Sequence, residues 1–255
     1  MEYDAIIVGA GMAGLTAAIY LIRAGKSVLV LESGVIGGQI MSSLMVGNWP
    51  GDKKVSGKDL MGRIHEQVNE LGAEIKYEEV MDIKKDKERF TVITDEEKYG
   101  CGAIIIATGT EPRKMSDMQT KSAGSRPISY CATCDGALYK DRPVVVVGSG
   151  NTARHEISYL EGICSKVYHI HHDEPIPEGA EAVFVAIGRV PATQFLKGLV
   201  DLDSDGYVIA NEDCATSCSG IFVAGDCRTK TTRQLVTAAA DGAIAANAVI
   251  DFLGQ

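Results

Sequence analysis

The residues best suited to chemistry are Cys131-Ala132-Thr133-Cys134, followed at once by Asp135 and Gly136. Two thiols two residues apart lie within disulfide reach on one turn of chain. Such a pair stores two electrons as a dithiol and releases them as a disulfide. The same spacing also furnishes half of a zinc site. The spacing leaves both readings open, and the surrounding elements have to decide between them.

The second chemical signature opens the chain. Ala5-Ile6-Ile7-Val8 is a continuous apolar run, as expected of a strand buried on both faces. It leads into Gly9-Ala10-Gly11-Met12-Ala13-Gly14, then a helical pattern from Leu15 to Ala24, a strand at Ser27 to Leu31, and Glu32 at its end. Glycines in this GxGxxG pattern let the backbone approach a pyrophosphate at a helix N-terminus, while an acid after the second strand accepts from a ribose hydroxyl. The unit is expected to bind a dinucleotide.

The elements that position these groups follow in order. A glycine-rich polar stretch holds Gly37-Gly38-Gln39 and Asn48-Trp49-Pro50-Gly51, before a helix from about Gly57 to Leu71. Glu74–Tyr77 and Arg89–Thr94 read as strands separated by a solvated charged turn at Lys84–Glu88. Ala103–Ile106 is another buried strand, ending on Ala107-Thr108-Gly109, and 111–127 reads as a linker. Beyond the cysteines, Pro143–Val147 runs into Gly148-Ser149-Gly150-Asn151-Thr152-Ala153, a helix to about Gly162 and a strand at Lys166–Ile170. Gly9 to Glu32 and Gly148 to His171 both span 23 residues, so this is a second copy with histidine in the acid's place. It is cut short. Between Ile170 and the apolar run Ala182–Gly188 there is no room for a crossover helix and its strand, which need about 10 residues or more. Gly206–Ile209 and Gly220–Ala224 read as strands, then Gly225-Asp226 precedes an alanine-rich helix opening at Arg233-Gln234-Leu235 and reaching about Phe252.

Composition sets the bounds. The chain has 255 residues, 45% hydrophobic and 23% charged, enough for one large or two small globular domains. A net charge of −9 argues against non-specific binding to nucleic acid or anionic membranes. No apolar run reaches the ~18 residues of a membrane span, and Met1-Glu2-Tyr3-Asp4 lacks the basic region of a signal peptide. A cytoplasmic location is expected, where a close cysteine pair is catalytic or metal-binding rather than structural. The total of seven cysteines is odd, which disfavours a full disulfide framework.

The ordered set GAGMAG, Glu32, GGQ, NWPG, ATG, CATCDG, a second GxGxxA, VAIGRVPAT, GD and RQLVTAAADG resembles the low-molecular-weight thioredoxin reductases over nearly the whole chain. The resemblance implies an α/β, two-domain FAD/NAD(P)-linked disulfide reductase fold. A Rossmann-like FAD domain would comprise residues 1–113 and 182–255, with a shortened NADPH-like domain at 114–181 carrying the CxxC. It also implies a homodimer. The cofactor-binding set would be Gly9, Gly11, Met12, Ala13, Gly14, Glu32, Gly38, Gln39, Asn48, Ala107, Thr108, Gly109, Gly225, Asp226, Arg233, Gln234 and Leu235. By the same resemblance Cys134 would face the flavin, Cys131 would attack the substrate disulfide, and Asp135 would manage the proton. No second CxxC or suitably spaced histidine pair accompanies the first, so no metal is expected.

One departure matters as much as the match. NADPH-using members carry an arginine pair after the second strand of the insert, where this chain reads His169-Ile170-His171-His172-Asp173. The shortened insert resembles that of the ferredoxin-dependent flavin thioredoxin reductases. Thioredoxin would then be the substrate and reduced ferredoxin the electron donor, with NAD(P)H not used. Lys53, Lys54, Lys58, Lys84, Lys85 and Lys87 are candidates for a local basic patch facing an acidic ferredoxin. Residues 114–181 are expected to reorient so that Cys131 becomes exposed. Three other classes remain in view: an NAD(P)H-dependent reductase, a dithiol oxidase using O2, and a non-catalytic flavoprotein.

Overall fold

The computed structural model describes residues 2–43, 45–115, 117–171 and 174–254, with the side chains of Asp117, Met118, Gln119 and Cys134 outside the description. The chain divides into two compact units. One comprises Met1–Met41, Met45–Thr110 and Pro191–Gln255, the other Ser42–Leu44 and Glu111–Val190.

The first unit begins with β1 (Glu2–Val8), α1 (Met12–Arg23) and β2 (Val28–Leu31), then α2 (Gly57–Glu70), β3 (Glu74–Lys76), β4 (Val80–Asp86), β5 (Arg89–Thr94) and β6 (Lys98–Ile106). The sheet runs β3-β2-β1-β6-β5-β4. Ile6 pairs with Leu29 on one side and Ile104 on the other, and all three are fully buried. That is why these strands read as unbroken apolar runs: both faces are covered. Each such side chain contributes about 1.5–3 kcal/mol by leaving water. The start of α2 is set by Ser56, whose Oγ accepts from the Asp59 N–H at 3.0 Å.

The second unit takes the chain through β7 (Thr110–Pro112), α3 (Asp117–Ala123), β8 (Ile128–Ser129), α4 (Ala132–Asp135), β9 (Pro143–Val147), α5 (Asn151–Glu161), β10 (Lys166–Ile170), β11 (Ala182–Val185) and β12 (Arg189–Pro191). Its sheet runs β10-β9-β11-β8, all parallel. The chain then returns to the first unit for β13 (Ile221–Val223), parallel to the end of β6, and α6 (Leu235–Leu253).

Four expectations change. Ala182–Val185 was expected to open the returning first domain, but it pairs with β9 in register Ala182↔Val144 and belongs to the second sheet. It is an ordinary buried parallel strand, and its apolar character could not say which sheet would take it. The 111–127 segment holds β7 and α3 rather than a plain linker. Lys84–Asp86 extend β4, so the charged turn shrinks to Lys87-Glu88, with Lys87 at φ +56°. Gly206–Ile209 makes only isolated bridges, Leu202↔Val208 and Val208↔Arg228, through one buried valine.

Helix α6 is long and apolar enough, by length and composition, to cross a membrane. It is instead a helix packed on α1, and Gly242 lies so close to α1 that a Cβ there would collide with the Ala13 carbonyl oxygen. It also carries a buried charge. Asp241 pairs with Arg228 at 3.2 Å and Lys230 at 2.7 Å, and accepts the Gly225 N–H at 3.0 Å. Asp241→Ala should destabilise the first unit by about 3–5 kcal/mol, because two largely buried cations lose their counter-ion. Arg63→Ala, which removes the exposed Arg63–Asp52 pair, should cost under about 1 kcal/mol. Urea unfolding followed by the fluorescence of Trp49, the sole tryptophan, would compare the two.

Candidate functional site

In the first unit the site is built on the β1–α1 turn. Gly9 adopts φ +106°, and a Cβ there would strike the Ala107 carbonyl at the end of β6. A Cβ on Gly14 would strike the Gly9 carbonyl, whereas one on Gly11 would meet nothing within 4 Å. Gly9 and Gly14 are thus glycine because backbone meets backbone, and Gly11 because space is left open. That open space lies at the N-terminus of α1, where Gly11 is the N-cap and first-turn N–H groups lack helical partners. Glu32 sits beside it: its carboxylate accepts from Ala10 N–H at 2.7 Å and Gly34 N–H at 2.8 Å. A carboxylate has about four acceptor positions, so capacity remains for a sugar hydroxyl.

The other expected cofactor residues surround this turn. A Cβ on Gly38 would lie 3.6 Å from Gly11 Cα. Gln39 donates to the Thr110 carbonyl at 2.8 Å, next to Ala107, Thr108 and Gly109. Asn48 donates to Gln234 at 2.9 Å, and Gln234 caps α6 just before Leu235. Gly225, at φ +83°, brings its loop to α1, where an added Cβ would lie 3.0 Å from Ala13 Cβ, beside Met12. Arg233 donates to the Asp226 carbonyl at 3.3 Å and stacks 4.1 Å from the Tyr207 ring. An open glycine turn, an acid at the next strand end and an encircling rim of amide side chains fit the two ends of an FAD.

The second unit repeats the turn without its acid. Gly148 takes φ +142° and presses on the Ala186 carbonyl, as Gly9 does on Ala107. Gly150 faces open space and caps α5, and Ala153 is fully buried where the first copy has Gly14. His169 Nε2 lies 2.6 Å from the Gly148 carbonyl, and the exposed His171 ring lies 5.6 Å from that of His169. His172 and Asp173 are outside the described residues.

Cys131 directly precedes α4 of this unit, and Cys134 falls within that helix. Cys131, half-buried, is disulfide-bonded. Its N–H donates to Ser129 Oγ at 3.1 Å, and that hydroxyl donates to Asp135 at 2.7 Å, so Asp135 holds the backbone of the turn through a serine. Cys131 Sγ lies 3.4 Å from Thr133 Oγ1. The side chain of Cys134 is outside the described residues. The other five cysteines are free. Burial pushes Cys101 up to about 12 and Cys214 to about 11, and raises Cys164 and Cys227. A thiol held neutral is a poor nucleophile. Among the described residues, no cluster of side chains suits a metal ion.

Sequence reasoning passed over Ser129, Arg228 and Asp241, which hold the site rather than form it. Only Asp241 left a signal, as an acid within an alanine-rich apolar helix.

A Rossmann-type unit with an open glycine turn and an attendant acid, on the same chain as a second such unit carrying a disulfide-bonded CxxC cysteine, defines a nucleotide-linked disulfide oxidoreductase. The comparisons agree. The chain belongs to the pyridine nucleotide-disulphide oxidoreductase family, whose pattern matches residues 3–179 and 172–243. It is 35% identical over 291 aligned positions to a thioredoxin reductase of Listeria monocytogenes, covering 95% of this chain and 91% of that one. Among solved structures, a thioredoxin reductase of Lactococcus lactis superposes with TM-score 0.90 at 30% identity, covering 99% of both chains. A ferredoxin-flavin thioredoxin reductase of Clostridium acetobutylicum superposes with TM-score 0.66 at 27% identity, covering 100% of this chain and 98% of that one. The two-unit disulfide reductase fold expected from the sequence is the one observed.

The glycines separate packing from ligand binding. Gly14→Ala should cost about 3 kcal/mol by overpacking. Gly11→Ala should leave the melting temperature of the flavin-free protein within about 1 °C while lowering the flavin recovered with the purified protein, read from its visible absorbance.

Proposed function

We propose that this protein is a flavin-containing thioredoxin reductase that draws electrons from reduced ferredoxin through the Cys131–Cys134 pair. The observation that carries the donor assignment is the end of β10. There the second unit has His171 where the first has Glu32, and among the described residues no helix separates β10 from β11. A ribose-binding acid and the crossover that would complete a nucleotide crevice are both missing from the pattern. The length of the relatives supports the same reading. The 291 aligned positions of the Listeria match exceed the 255 residues of this chain, so at least 36 fall opposite gaps in it. The Clostridium structure adds a likeness to a protein named a ferredoxin-flavin thioredoxin reductase.

Bound FAD supplies a group that accepts electrons singly and passes on a pair, which reconciles a one-electron donor with a two-electron disulfide. Gly11, Glu32, Gln39, Asn48, Asp226, Arg233 and Gln234 would hold and orient it. Cys134 is the partner we assign to Cys131, since the five other cysteines are free. In the reduced pair, Cys131 as thiolate attacks a thioredoxin disulfide. One substrate sulfur joins Cys131 and the other leaves as a thiolate that takes up a proton. Cys134, deprotonated in turn, attacks the Cys131 sulfur, re-forms the internal disulfide and frees the second substrate thiol. Two electrons pass from the pair to the substrate and no atoms are lost.

The resemblance also implies a homodimer, and exposed Tyr20 on α1 with exposed Val236 and Ile244 on α6 supports it. Of the lysines considered for a donor patch, Lys85 is engaged, donating to the Ser219 carbonyl at 2.7 Å. The preserved turn at Gly148 supports a second reading, in which NAD(P)H is the donor.

Anaerobic mixing separates the readings. Reduced ferredoxin should bleach the visible flavin band within seconds, and NADPH should leave it unchanged; rapid bleaching by NADPH alone would overturn the donor assignment. Cys131→Ser should keep its flavin and lose thioredoxin reduction by at least about 100-fold, and full turnover by that variant would remove Cys131 from the role.

A further inference from the structure

Arg233 stands just before Gln234, the cap of α6. It is half-buried, and among the described residues no carboxylate pairs with it. Two of its three side-chain nitrogens are engaged. Nε donates to the Asp226 carbonyl and Nη2 to the Arg228 carbonyl, both at 3.3 Å. The guanidinium is therefore bonded to the stretch of backbone that presents Asp226. Nη1 makes no hydrogen bond within the chain. A planar guanidinium fixed at two nitrogens aims the third in one direction. An unpaired positive charge with an aimed N–H suits an acceptor oxygen of a ligand.

Two bonds of 3.3 Å are long for a charged donor, which usually lies about 2.7–2.9 Å from its acceptor. The face of the group supplies the rest. The Tyr207 ring centroid lies 4.1 Å from Arg233 Cζ, well inside the roughly 6 Å over which a cation and a ring attract. The Tyr207 hydroxyl makes no hydrogen bond, so the ring is what this side chain contributes.

The place of the ring is itself built. The Asp203 carboxylate accepts the N–H of Asp205 at 2.9 Å and of Tyr207 at 2.8 Å, and the Asp203 N–H donates to the Tyr207 carbonyl at 2.9 Å. Gly206 turns the chain at φ +89°, and its carbonyl accepts from the hydroxyl of buried Thr193 at 2.6 Å. Buried Val208 then donates to the Cys227 carbonyl at 3.0 Å and accepts the Thr229 N–H at 2.9 Å. The turn that carries Tyr207 is thus joined to the same loop that Arg233 grips.

We infer that Tyr207 is a positioning residue for the cofactor: its ring holds the Arg233 guanidinium so that Nη1 meets an acceptor oxygen of the bound flavin nucleotide. This rests on the proposed place of Arg233 at the flavin site. Asp203 and Thr193 fix the turn, the turn fixes the ring, and the ring fixes the cation.

The test titrates FAD into the flavin-free full-length protein and reads the dissociation constant from the quenching of flavin fluorescence. Two ring-less variants, Tyr207→Leu and Tyr207→Gln, are used so that one misfolded protein does not decide the outcome. Each should bind FAD about 5- to 10-fold more weakly than the wild type. Tyr207→Phe should stay within about 2-fold of the wild type, because it loses only an unbonded hydroxyl. Arg233→Gln should weaken binding about 10-fold, and in that background loss of the ring should add less than about 2-fold. A side chain that merely filled its turn would cost the same in both backgrounds. Additive losses therefore overturn the proposal, and so does a phenylalanine variant as weak as the ring-less ones; with Arg233→Gln still impaired, either result leaves Arg233 at the flavin. Unchanged affinity in Arg233→Gln itself would remove Arg233 from the flavin site, and the role of Tyr207 with it.

Discussion

Backbone meeting backbone at the β1–α1 turn is the constraint on which the first unit depends. Gly9 lies against the Ala107 carbonyl, Gly14 against the Gly9 carbonyl, and Gly242 of α6 against the Ala13 carbonyl. At each contact a single methyl group would force the elements apart. The closeness aligns the end of β6, the start of α1 and the length of α6 about one point, and Gly11 faces the space that is left. Asp241 then ties the Gly225 loop down by accepting its N–H while balancing Arg228 and Lys230. The site therefore has its floor set by steric exclusion and its rim by a buried ion-pair network, whose value lies in what breaking it would cost.

The second unit repeats this packing without the acid at the next strand end. Gly148 presses on Ala186 in the same way, and Ala153 is buried in the position of Gly14. Yet the strand that follows ends in His171 rather than an acid. A βα turn needs its glycine whether or not a phosphate sits on it, so the motif by itself does not show that a nucleotide binds there. The fold alone does not say what reduces such a protein; the residues at the strand ends bear on that.

The five free thiols sharpen the contrast with Cys131. Burial holds Cys101 and Cys214 in the neutral form and raises Cys164 and Cys227. Cys131, disulfide-bonded and half-buried, sits where a short helix begins, with Ser129 and Asp135 bonded to its own turn. Of the free thiols, Cys101, Cys214 and Cys227 are buried and Cys164 and Cys218 are partly exposed.

What the sequence determined by itself was local. Unbroken apolar runs marked β1, β2, β6 and β9 because strands covered on both faces have no polar side to show. Glycine spacing marked both βα turns, since no other residue fits a positive φ against a carbonyl. The cysteine spacing singled out Cys131 and Cys134, and the family resemblance supplied the expected roles of the pair and of the rim residues. Tertiary structure alone decided the rest. Ala182–Val185 is an apolar run like any other, and only its pairing with β9 assigned it to the second sheet. Lys84–Asp86 look like a turn until Thr91, Phe90 and Arg89 pair with them. Asp241 is an ordinary acid in the sequence, and burial beside Arg228 and Lys230 is what makes it a tether. A local pattern records which faces a segment can bury. It does not record which partner buries them, and the properties of a charged group depend on that partner.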